Sequence, residues 1–147
     1  MISILIAVVG LASIANADDK LVRRHAGHIV ISPDPVPEDA AALAEFVKLN
    51  LAKDRNYDLY NGPPWDVNLV AFLSRDPGRE AVTFRISDAK DPKQTLVVSR
   101  APTRGRLVIM SLSATTAAGF EVGKTYSMRM TRGKTVLARC ELLLRQR

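Results

Sequence analysis

Between residues 65 and 145 apolar residues recur at every second position, in short runs separated by turn-forming segments. A period of two is the signature of a strand with one face in the core and one in water. No separator has room for the helical crossover that neighbouring parallel strands require, so this spacing predicts antiparallel pairing. Residues 65–74 (WDVNLVAFLS) read as a largely buried strand, and Asp76-Pro77-Gly78 as the turn after it. Val82, Phe84 and Ile86 then alternate with Thr83, Arg85 and Ser87. Further strands are predicted at about 94–100, 106–113, 124–131 and 135–145.

Upstream the period changes. Leu43, Phe46, Val47 and Leu51 form one apolar stripe at helical spacing, with Pro37, Glu38 and Asp39 suited to a first turn and Lys48 and Lys53 to a last one. The expected helix spans about 37–53. Residues 18–36 read as an extended arm with one edge-strand-like run at 27–32, closed off by Pro33, Pro35 and Pro37, which lack the amide hydrogen a ladder needs. The expectation is a mainly β protein: an antiparallel β-sandwich of immunoglobulin-like character, with the helix packed on it, in one domain over 37–147. An open sheet with the helix across one face is the alternative.

The last hairpin permits a sharper expectation. Tyr126, Met128 and Met130 should face the same core as Val136, Ala138, Cys140, Leu142 and Leu144. A two-residue turn would put the two sets on opposite faces. A three-residue loop, Arg132-Gly133-Lys134, would instead pair Met130 with Val136, Met128 with Ala138 and Tyr126 with Cys140.

The first seventeen residues read as a secretory signal peptide. Residues 2–11 are apolar apart from Ser3 and Gly10, too short for a membrane span, and Ala15-Asn16-Ala17 forms an A-x-A cleavage pattern before Asp18. The expected location is exported, periplasmic or secreted in a Gram-negative bacterium, with no transmembrane span after cleavage. Removal of residues 1–17 leaves 130 of the 147 residues, enough for a core without covalent staples. Cys140 is the sole cysteine, so no intramolecular disulfide can form.

The run Trp65 to Gly78 (WDVNLVAFLSRDPG), with the later Gly123-Lys124-Thr125-Tyr126, resembles small exported proteins of myxobacteria and related Gram-negative bacteria. The resemblance implies an envelope or secreted setting and carries no activity or functional residues with it.

Reaction chemistry finds little support. His25 and His28 share an ion only if a helix aligns them, and in an extended arm they point to opposite faces without a third ligand. Cys140 falls between inward Ala138 and Leu142, where a thiol stays protonated and inert. Asp88 and Asp91 lie in one loop with Lys90 between them, unsuited to a flanking carboxylate pair or to calcium. The segment G-F-E-V-G-K-T (119–125) has one residue too few for a phosphate loop and leads into a strand. No catalytic, metal or cofactor-binding residue is assigned.

Charge is the informative surface property. Residues 94–147 carry ten Lys or Arg against two acidic residues, while residues 18–93 carry eleven against thirteen. Such asymmetry points to an anionic partner, and Arg104, Arg106, Lys124, Arg129, Arg132, Lys134 and Arg139 are the candidate anion-binding set. Nucleic acid is not expected, because aromatics make up only 5% of the chain and the basic strands lack stacking residues. The expected function is a non-enzymatic accessory or adhesive module binding a protein, glycan or anionic envelope surface. A small exported hydrolase with a site assembled from distant residues is the alternative.

Overall fold

The computed structural model describes residues 6–8 and 19–146. The expected cleavage site at Ala15–Ala17 lies outside them. In chain order the elements are β1 (Ile6–Val8), α1 (Asp19–Arg24), β2 (Ile29–Ser32), α2 (Ala40–Asn50), β3 (Asn56–Leu59), β4 (Trp65–Phe72), β5 (Val82–Asp88), β6 (Thr95–Ala101), β7 (Thr103–Arg104), β8 (Leu107–Ala114), β9 (Thr125–Arg132) and β10 (Thr135–Leu144). Two sheets enclose one apolar core. The first runs β1-β8-β4-β2, with β7 also beside β8, and the second runs β3-β10-β9-β5-β6. The chain is thus mainly β with few helices, and the six strands expected after residue 64 all form within two residues of their expected bounds.

Three regions differ from expectation. The helix is shorter than 37–53: the Asp39 carboxylate accepts from the Ala42 amide at 2.9 Å and starts it at Ala40, and extended Leu51 ends it. Residues 18–36 are not simply an extended arm, because α1 forms there, with Asp19 at its positive end and Arg23 and Arg24 at its negative end. Val22 on α1 is buried in the core. The pairing is also not wholly antiparallel. β3, expected as loop, runs parallel to β10 with Tyr57 opposite Leu142. Parallel pairing is open to these two strands because the rest of the second sheet lies between them in sequence, so no tight turn joins them.

The β9–β10 hairpin corrects the predicted loop. Arg132 pairs with Thr135, leaving a two-residue turn, Gly133-Lys134, in which Gly133 adopts φ 59, as primed hairpin turns require. Alignment of the apolar sets comes from a β-bulge between Val136 and Ala138 instead. The extra residue restores the phase, so Met130 faces Ala138, Met128 faces Cys140 and Tyr126 faces Leu142. Val136, expected inward, is displaced to the surface, and Leu137 is buried in its place.

The core is filled from both sheets by Trp65, Leu69, Phe72, Phe84, Ile109, Met128 and Met130, all essentially without exposure. Burying each such side chain contributes about 1.5–3 kcal/mol. The polar ends of the large aromatics are satisfied. Trp65 Nε1 donates to the Arg145 carbonyl at 2.9 Å, and the Tyr126 hydroxyl accepts from the Glu121 amide at 2.8 Å. Gly62 lies against the Trp65 ring, where a Cβ would collide with the indole. Among the described residues no helix is long and apolar enough to cross a membrane.

Candidate functional site: an arginine row on the second sheet

β5, β9 and β10 turn alternate residues out of the core, so Arg85, Arg129 and Arg139 all project from the outer face of the second sheet. Register sets them abreast: Arg85 pairs with Arg129, and Arg129 with Arg139. Adjacent strands lie about 4.8 Å apart, so three guanidinium groups are based on a line roughly 10 Å long. The hairpin bulge makes this row. The three-residue loop predicted from sequence would have set Arg129 opposite Leu137.

A fourth arginine joins at the edge. The Arg55 carbonyl accepts from the Glu141 amide at 2.8 Å and the Gly27 carbonyl accepts from the Arg139 amide at 3.1 Å, which draws both loops against β10. Between them and the sheet lies a pocket of ≈ 230 Å³ lined by Arg55, Asn56, Ser127, Arg129, Arg139 and Glu141. A second pocket, of ≈ 170 Å³, continues on the other side of the same Ser127, Arg129 and Glu141, and reaches Arg85 and Ser87. The two form one groove across β10, β9 and β5, with Arg139, Arg129 and Arg85 along one flank and Glu141, Ser127 and Ser87 along the other.

Like charges directly opposite on neighbouring strands destabilise a sheet. Here none of them is held in a direct ion pair: among the described residues no carboxylate forms one with Arg55, Arg85, Arg129 or Arg139. Of the acidic residues that line the groove, Asp54 is turned to the Asn56 amide at 3.0 Å, and Asp88 accepts from the Lys90 amide and from Lys124. Glu141 is left one row away, opposite Ser127. The row is a concentrated cationic strip, with Glu141 beside it and no direct ion pair within it, whose planar forks suit carboxylate, phosphate or sulfate oxygens.

No protein-family model matches this chain. No curated protein matches it either.

The structure divides the candidate anion-binding set. Arg129 and Arg139 stand in the row. Arg104 and Arg106 lie at the β7–β8 turn, and Arg132 and Lys134 at the β9–β10 turn. These turns share one end of the molecule, since the Leu73 amide reaches the Arg106 carbonyl and the adjacent Ser74 amide reaches Leu137. Two of the four side chains there are engaged: Arg106 Nε donates to the Leu73 carbonyl at 2.9 Å, and Arg132 lies 3.4 Å from Glu80. Lys124 is at the far end of β9, held between Asp88 at 3.3 Å and Glu121 at 2.9 Å. Glu121 first and then Asp88 push its pKa up, and both already hold its ammonium group.

Arg85 and Arg55 were missed because they belong to the more acidic stretch of sequence. Alternation alone marked Arg85 as outward. Nothing local marked which strands would flank it.

The other groups weighed for chemistry sit elsewhere. His25 follows α1, with its ring 5.6 Å from Phe72 and 6.4 Å from His28. Partial burial lowers both imidazole pKa values, with Arg24 adding to the effect at His25 and Arg55 at His28. Cys140 is buried beneath the groove floor, and desolvation drives its thiol pKa far upward. Asp88 is held below its ordinary value, chiefly by the Lys90 amide and then by Lys124.

Proposed function

We propose that this chain is an exported, non-enzymatic binding module that holds an anionic envelope polymer, such as an acidic glycan, on the outer face of its second sheet. The observation that carries the reading is the line of Arg85, Arg129 and Arg139 abreast on three paired strands, none of them held in an ion pair. A sheet that needed only solubility would alternate signs across its strands, because that arrangement lowers the energy. The cost of like charges in register is recovered when a ligand supplies the anions. The scaffold we read as a β-sandwich of immunoglobulin-like character, supported by its two sheets around one core, with the parallel β3–β10 pair as its departure from that pattern. The apolar segment at residues 2–11 and the A-x-A sequence that follows it support export, and the resemblance to myxobacterial exported proteins accords with it.

Retention on immobilised heparin and on phosphatidylglycerol vesicles tests the site and separates a polymer from a lipid surface. The native protein should be retained on heparin at low salt and released steeply as the Debye length falls to about 8 Å near physiological ionic strength. Changing Arg85, Arg129 and Arg139 together to Gln should abolish retention with an unchanged circular dichroism spectrum. The matching control, Arg104→Gln with Lys134→Gln, should retain most of it. Equal retention of the triple variant, or no retention of the native protein at low salt, would refute the site. Retention on the vesicles alone would transfer it to lipid headgroups.

A further inference from the structure

The two sheets differ in how their edges are guarded. Strand edges in stable proteins carry charge, proline or a bulge, because an open row of amides and carbonyls recruits other strands. Of the outer strands of the second sheet, β6 carries Arg100 and its pairing with β5 is irregular at Ser87, while β3 carries Asp58. In the first sheet β2 runs directly into Pro33 and Pro35. β8 has none of these guards. Its sequence, LVIMSLSA, is uncharged and free of proline, and it pairs with β4 in unbroken register from Phe72 opposite Leu107 to Trp65 opposite Ala114.

Among the described residues, β8 is met on its other side by two short strands only. β7 pairs with Leu107 and Val108, and β1 pairs antiparallel with Met110, Ser111 and Leu112. β1 belongs to an uncharged run, SILIAVVG at residues 3–10. We infer that the β8 edge over residues 109–114 is a strand-addition site for an extended, uncharged, apolar segment of a partner protein. In the full chain its own residues 6–8 hold that site. The occupant's chemistry is read from the sequence of β1: main-chain hydrogen bonds supply the affinity, and an uncharged, apolar composition supplies the selectivity. Removal of residues 1–17 would detach β1 and open the edge. That releasing event rests on the export reading; the site does not.

The test uses the full chain carrying Ala7→Pro, which removes a ladder donor from β1. The probe is a dye-labelled synthetic peptide of residues 3–10 with two added lysines for solubility, followed by fluorescence anisotropy. The variant should bind it saturably, one to one. The native chain should bind about a hundred-fold more weakly, because a tethered strand competes at roughly millimolar effective concentration. Amide exchange at residues 110–112 should quicken in the variant and slow again with peptide. The same peptide with alternate amides N-methylated should not bind. Val8→Pro, at a position whose amide points away from β8 when Ala7 pairs with Ser111, is the matched control and should leave the edge closed.

Four outcomes would overturn the inference: no peptide binding by a folded Ala7→Pro chain, equal binding of the N-methylated peptide, dimerisation that shuts the peptide out, or failure of Ala7→Pro to fold, which would make β1 integral. N-terminal sequencing of the chain secreted by a Gram-negative host is read separately. Retention of Met1 would remove the export reading and leave the peptide result standing.

Discussion

β8 and β9 are equal in length and each is paired on both sides, yet they are specified differently. In β8 four consecutive residues, Leu107 to Met110, are buried, so both faces of its first half are covered, while Ser111 and Ser113 in the second half are half-buried. In β9 burial alternates, with Tyr126, Met128 and Met130 inside and Ser127 and Arg129 outside. A strand covered on both faces keeps only its backbone edge for recognition. A strand with one wet face can present side chains to a ligand. The two proposed sites follow that division, an edge on β8 and an arginine row through β9.

The largest expected effect separates the strands by stability. Ile109→Ala removes a fully buried side chain and should cost about 2–5 kcal/mol in urea unfolding. Arg129→Ala should stay within about 0.5 kcal/mol, with any change toward greater stability, since surface substitutions are small and this one relieves repulsion. Comparable losses in the two variants would break the contrast between covered and wet faces.

A middle-sized effect tests the inner face of the second sheet. Cys140 lies opposite Met128 with 2% exposure. Thiol reagents should label it far more slowly in native than in unfolded protein, and Cys140→Ser should cost about 1–3 kcal/mol for a hydroxyl in an apolar site. Rapid labelling of the native chain would place this residue outside the core and undo the bulged register.

The smallest effect sharpens the corner where β2 meets β10, at the bridge of His28 to Arg139. Folding lowers the pKa of His25 and His28 from 6.5, so the unfolded state binds more protons as the solution is acidified. Their contribution to stability is therefore complete above 6.5 and is lost as pH falls through the folded values. Denaturant midpoints measured from pH 7.5 to pH 5 should decline for the native chain. His25→Gln with His28→Gln should flatten that decline, and an unchanged slope would show that neither imidazole is desolvated by the fold.

Much of the scaffold was legible in advance because its signals are local. Alternation in residues 82–88 and 125–132 is a direct trace of the pleat, and the stripe of Leu43, Phe46 and Val47 marks the helix, although its expected start precedes the Asp39 cap. α1 and β3 were not legible. Six residues of mixed character become helical because Val22 finds the core, and Asn56–Leu59 becomes a strand because β10 offers it an edge.

The candidate site divides the same way. Sequence by itself determined that Arg85, Arg129 and Arg139 point away from the core, since side-chain direction along a strand follows from the two-residue repeat. It also determined the charge excess of residues 94–147. Only the tertiary structure decided that these arginines stand abreast, that Arg55 joins them, and that Lys124 and Arg132 are occupied by carboxylates. The reason is register. A single bulged residue between Val136 and Ala138 shifts one strand against its neighbour, and such a shift is set by the packing of both strands on a shared core, which no local run of residues encodes.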